Sequence, residues 1–168
     1  LGEPENTIDL LILGDSESYS AFIPMQLWQQ RGYTAYCCGT SGQTLCYSEE
    51  FLHKAFRTQS PKVVVLETNA IFRNFSFGNT LLSEAGKLFP VFSYHNRWKT
   101  LKTSDLCMSA KYTHIDNAKG YQFTKGAAPA DTGSYMQASD QLAPIARQNR
   151  AYVERIKNYC DENGAQLL

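Results

Sequence analysis

The sequence predicts a three-layer α/β/α sandwich around a central, mostly parallel sheet, and three observations carry that prediction. Leu10-Leu11-Ile12-Leu13 is a short apolar run closed at once by Gly14-Asp15-Ser16. Strands covered by helices on both faces look like this, continuous rather than alternating. Val63-Val64-Val65-Leu66 is a second such run, β-branched and introduced by Pro61-Lys62. Between residues 8 and 66, strand and helix patterns alternate in the rhythm of βαβ units.

Ile8 to Leu13 is the first expected strand. Ser18 to Gln30 is the first expected helix, with Phe22, Ile23, Met25, Leu27 and Trp28 as apolar positions and Gly32 as its stop. Pro24 is awkward inside a helix, so the regular part is expected to start near it. Tyr33 to Cys38 reads as a second strand, ended by Gly39-Thr40-Ser41-Gly42. Glu49 to Thr58 places Phe51, Leu52, Ala55 and Phe56 at helical spacing. The third strand, Val63 to Leu66, runs into Glu67-Thr68-Asn69.

From about 71 to 136 the chain is aromatic-rich and lacks a clean period, which marks a long insertion. Helices are expected within it at Leu81 to Leu88 and Arg97 to Leu101. Phe72, Phe75, Phe77, Phe89, Phe92 and Tyr94 are expected to serve the core. Ser139 to Asn163 returns to helical spacing, with Leu142, Ile145, Ala146, Tyr152, Val153 and Ile156 facing inward. Pro144 lies in its first turns or breaks it there, and Asn163-Gly164 caps it. Ala165 to Leu168 begins a fourth strand.

The 168 residues fit one domain, 1–168, and 43% hydrophobic against 19% charged residues favours a folded chain. Lys+Arg and Asp+Glu are both 16 and no basic stripe is present, which argues against a nucleic-acid partner. No stretch approaches the ~20 apolar residues of a membrane span. The chain starts at Leu1 without a visible signal peptide, so an export or anchoring segment is expected, if anywhere, upstream. Five cysteines, Cys37, Cys38, Cys46, Cys107 and Cys160, lack CxxC spacing and read mostly as small buried hydrophobes. One bridge stays open if the protein is exported.

Three strands thus end in small polar clusters, and in a parallel sheet those ends share one edge, where open α/β sheets bind ligands. Ser16 offers a hydroxyl nucleophile, Gly42 a close backbone N–H and Asn69 a side-chain amide. The helix after Ser16 would turn its N–H groups toward negative charge. Oxyanion donors of this kind are each worth ~3–4 kcal/mol in a well-studied protease.

These blocks resemble the SGNH (GDSL-type) hydrolases over the first ~70 residues, at motif level. Gly14-Asp15-Ser16 is similar to the first block of that superfamily, which implies Ser16 as nucleophile. Gly39-Thr40-Ser41-Gly42 is similar to the second, implying the Gly42 N–H as an oxyanion donor. Glu67-Thr68-Asn69 is similar to the third, implying Asn69 as another; where the family commonly has Gly-x-Asn-Asp, this chain has Glu67 and Ala70 at the outer positions. Gly14-Asp15-Ser16-Glu17-Ser18 and Tyr94-His95-Asn96-Arg97-Trp98 look closest to a bacterial extracytoplasmic branch, resembling DltD-like D-alanyl-transfer and alginate O-acetylation proteins. That resemblance implies an acylated carbohydrate or cell-envelope polymer as substrate, a membrane acyltransferase as a possible partner, and no metal or organic cofactor.

The family takes its base from a late Asp-x-x-His, and none of His53, His95 and His114 has Asp three residues before it. Glu50 stands at that spacing from His53, on a helix expected far from the strand ends. The expectation is that the catalytic Asp and His belong to residues beyond Leu168. Asp15, His95 and Arg97 are candidate substrate contacts, and His95 is also a candidate stand-in base; the alternatives are turn capping for Asp15 and a structural hydrogen-bonding knot for the other two. Ser18 is expected as a helix N-cap. Glu67 is either a buried, hydrogen-bonded carboxylate near the site or a residue at its edge.

Gly39-Thr40-Ser41-Gly42-Gln43 lacks the last glycine of a nucleophile elbow, and neither GxGxxG nor GK[ST] occurs. Two other functions compete with the acyl-transfer enzyme. One is a catalytically incomplete module of the same fold that binds glycans or a partner. The other is a flavodoxin-like nucleotide or phosphate binder using the same strand ends.

Overall fold

A computed structural model describes residues 2–73, 78, 115–123 and 141–168. The helices expected at 81–88 and 97–101, the aromatics from Phe75 to Tyr94, and His95, Arg97, Cys107 and His114 lie outside the described residues.

Four parallel strands form one sheet in the order β2-β1-β3-β4: β1 (Leu10–Gly14), β2 (Ala35–Gly39), β3 (Val63–Leu66) and β4 (Gln166–Leu167). Leu11, Ile12 and Leu13 of the inner strand are wholly buried, as continuous apolar strands require. Leu11, Leu13, Val64 and Leu66 join one core with the helices α3 (Leu45–Phe56) and α5 (Arg147–Glu162). Ile12, Ala35 and Cys37 turn the other way, against Tyr19 and Phe22 of the α1 (Ser16–Ala21) side and Leu27 of α2 (Pro24–Arg31). The three expected layers are present. Burying each such aliphatic side chain is worth roughly 1.5–3 kcal/mol.

The boundaries differ from expectation for local reasons. The helix expected over 18–30 is two helices, because Pro24 cannot donate to the preceding turn and starts α2 instead. Met25 and Trp28 are about half exposed rather than inward-facing. The Ser18 N-cap expectation is incorrect: Asp15 caps α1 by accepting the Glu17 N–H at 2.9 Å, and Ser18 is buried one turn in. Helix α3 starts at Leu45, four residues early, because Gln43 ties the preceding turn to the helix. Its Oε1 accepts the Thr40 N–H and its Nε2 donates to Ser48 Oγ at 3.0 Å.

Helix α5 starts at Arg147 rather than Ser139, three residues beyond Pro144, and Leu142 is 96% exposed instead of facing inward. Its buried Tyr152, Ile156 and Cys160 recur every four residues, a single helical face. Asn163 closes this helix and Gly164 follows, as the sequence indicates. Phe72 lies about half exposed on the short helix α4 (Asn69–Phe72), not in the core.

Residues 115–123 return to the sheet. Cys37 donates its N–H to the Lys119 carbonyl at 2.9 Å, and Gly120 packs so tightly on the Cys37 carbonyl that no side chain fits there. Asp116 holds this turn by accepting the Ala118 and Gly120 N–H groups. The free edge of β2 is thereby partly covered, which blocks pairing with another chain.

Candidate functional site

Register brings the three strand ends to one edge. Gly14 pairs with Gly39 and Leu13 with Leu66, so β1 ends between β2 and β3 at the same level. Chain order reverses beside β1, the switch point at which ligands bind in open α/β sheets. Ser16 begins α1 directly after the Asp15 cap, Gly42 sits in the turn after β2, and Asn69 begins α4 after β3. Asn69 is therefore helical, where the sequence placed it in a strand-end turn.

Gly14 is required at the centre of this edge. A Cβ there would lie 2.5 Å from the Glu67 Cβ and 2.8 Å from Ser18 atoms, closer than side chains tolerate. Gly39 is similarly crowded by the Tyr19 ring and the Gly14 carbonyl. Gly42 has φ +64°, which an L side chain adopts only under strain. Behind the edge, Ser18 Oγ donates to the Asp15 carbonyl at 2.8 Å, tightening the first turn of α1. Since α1 has only six residues, its dipole adds little to anion binding here.

Charged groups gather at the same place. Asp15 is 1% exposed; one carboxylate oxygen caps α1 and the other accepts from Arg73 Nη2. The same guanidinium reaches Gly42, where Nη1 is 3.3 Å from the position a Cβ would take. Both alternatives weighed for Asp15 are affected: it does cap the turn, and its other oxygen is already occupied. Glu67 accepts the Asn69 N–H on Oε1, while its Oε2 is buried without a hydrogen-bond partner among the described residues. The carboxylate thus belongs to the buried part of the site. Asn149 of α5 donates to the Ile71 and Arg73 carbonyls at 3.0 and 2.8 Å and anchors the end of α4.

The cysteines nearby are poor nucleophiles. Burial pushes the Cys37 thiol up to about 11 and the Cys38 thiol up to about 12, so both are protonated at neutral pH. Cys37, Cys38, Cys46 and Cys160 are free thiols. His53 stacks on Tyr159 on the outer side of α3, ring centroids 4.2 Å apart, while Glu50 pairs with Lys54. That pair is away from the strand ends as expected, although Glu50 is buried.

The structure therefore places Asp15, Ser16, Gly42 and Asn69 at one edge; His95 and Arg97 lie outside the described residues. Arg73 escaped the sequence. It follows an aromatic on a short helix, and only long-range packing brings it to Asp15, 58 residues away. Comparison with protein-family models, with curated proteins and with solved structures finds no match to this chain.

Proposed function

We propose that this protein is a serine-dependent acyl-ester hydrolase or O-acyltransferase of the SGNH type. Its substrate class is an acylated carbohydrate or cell-envelope polymer, met outside the cytoplasm, with a membrane acyltransferase as a candidate partner. The observation that carries the proposal is the shared edge: Ser16, Gly42 and Asn69 each lie two or three residues beyond register-matched strand positions.

Ser16 Oγ attacks the ester carbonyl, and the oxygen that becomes negative is received by the Ser16 N–H, the Gly42 N–H and the Asn69 amide. Collapse expels the sugar oxygen, which takes the proton released by serine, and leaves an acyl-serine. Water or an acceptor hydroxyl then attacks that ester and regenerates Ser16. The proton carrier is a histidine oriented by an aspartate, as the resemblance implies, and it comes from outside the described residues. Donors set by a glycine-formed turn and by two helix starts suit this chemistry, because they are fixed before charge develops.

A second reading, a catalytically incomplete module that binds glycan or a partner, is favoured by the position of His53, stacked on Tyr159. Hydrolysis of p-nitrophenyl acetate separates the two. The enzyme predicts that Ser16→Ala lowers the rate at least ~1000-fold, since loss of a serine nucleophile costs about 10⁶ in a dissected triad. Equal rates for parent and variant favour the module.

A further inference from the structure

We infer that Arg73 is a positioning residue that locks the serine turn and the oxyanion turn into one geometry; this rests on the function proposed above. One guanidinium spans both turns. Nη2 donates to the Asp15 carboxylate, immediately before Ser16, and Nη1 lies over Gly42. Asp15 is buried while the Arg73 side chain is 33% exposed, so the arginine lies between the buried carboxylate and solvent.

The lock has a rigid base. Arg73 follows α4, the helix that Asn69 begins, and buried Asn149 grips its backbone carbonyl at 2.8 Å. All three strand-end clusters are therefore connected through one residue: Asn69 through the chain, Asp15-Ser16 through the ion pair, and Gly42 through contact. A planar fork with fixed donor directions suits this task, and a lysine ammonium does not reproduce it. Gly42 has room for the guanidinium because it lacks a side chain. An added Cβ would lie 3.3 Å from Nη1, tight enough that the guanidinium would have to shift by a few tenths of an ångström.

Displacing a catalytic group by ~1 Å costs on the order of 100-fold in rate. Arg73→Ala is therefore expected to slow p-nitrophenyl acetate hydrolysis by about 100-fold in kcat with KM little changed. Arg73→Lys recovers only a small part, and millimolar guanidinium restores Arg73→Ala but not Asp15→Ala. Rescue of kcat with an unchanged melting temperature separates positioning at the site from a general loss of fold. In parallel, hydrogen exchange at the backbone amides of 15–18 and 40–43 speeds up in Arg73→Ala and in the milder Arg73→Gln, with exchange in β1 and β3 unchanged.

The outcomes are separable. If Ser16→Ala hydrolyses like the parent, the proposed function fails, and exchange alone then decides the role of Arg73. Unchanged exchange at either turn, or a kcat in Arg73→Ala equal to that of the parent, overturns the positioning role while leaving Ser16 chemistry standing.

Discussion

The two edges of the sheet use buried polar groups in opposite ways. At the amino edge they close backbone groups. Gln59 Oε1 accepts the N–H groups of Thr7 and Ile8 while its Nε2 donates to the Pro4 carbonyl. Asp9 Oδ2 accepts the N–H and hydroxyl of Thr34, which hold the Asp9 carboxyl below its usual range. The buried orphan there among the described residues, the Thr58 hydroxyl, is neutral. At the carboxyl edge the buried Ser18 and Gln43 are matched as well, but two carboxylates are held less completely. Asp15 depends on a partly exposed arginine, and Glu67 keeps one buried oxygen without a partner among the described residues. The difference between the edges is thus one of charge: the orphan at the amino edge is a hydroxyl, and the one where chemistry is proposed is a carboxylate oxygen.

That contrast breaks first at Asp15. Removing its carboxylate takes away the α1 cap and the partner of the one-third-exposed Arg73, so Asp15→Ala is expected to lower unfolding stability by about 2 kcal/mol. Urea denaturation measures it, and a loss below ~1 kcal/mol would mean the ion pair contributes little. At the opposite edge, Gln59→Ala leaves two backbone N–H groups without their acceptor and should cost about 2 kcal/mol.

Glu67→Gln sharpens the contrast because its sign is reversed. The amide oxygen still accepts the Asn69 N–H, and a neutral NH2 replaces the buried Oε2 that has no partner among the described residues. Stability should be unchanged or higher by ~1 kcal/mol, while ester hydrolysis falls. A stability loss comparable to that of Gln59→Ala would erase the distinction between the edges.

The smallest effect below pH 9 is the titration of the buried thiols. Cys37 and Cys160 are pushed up to about 11 and Cys38 up to about 12 from 9.0, all chiefly by burial. Their protonated forms are favoured in the folded chain, so the folded state binds more protons between the unfolded and folded values. The stability they contribute is present below pH 9 and is lost as pH rises through about 9 to 11. Thermal melts from pH 7 to 10.5 should be flat and then decline, and Cys37→Ala should soften the decline.

The fold was legible because strand burial leaves a direct imprint. Four apolar residues before Gly14 and the valines at 63–65 admit few other structures, and Ala165 to Leu168 is short but correctly placed. Boundaries set by side-chain clasps were not legible. Nothing local says that Gln43 folds back onto Ser48, and the sequence offered capping to both Asp15 and Ser18 without deciding between them. Pro24 was a readable break, whereas the outward face of Met25 and Trp28 depends on how α2 meets the sheet. The site divides the same way. Ser16, Gly42 and Asn69 sit at strand ends and follow from topology, but Arg73 reaches them across 58 residues and leaves no periodic signal.

Labelling with a fluorophosphonate probe, followed by peptide mapping, tests most directly whether this edge is an acyl-transfer site centred on Ser16. The expected result is a single phosphonyl adduct on Ser16, absent from Ser16→Ala and formed more slowly in Arg73→Ala. No adduct on the folded parent, or an adduct that persists in Ser16→Ala, would contradict it.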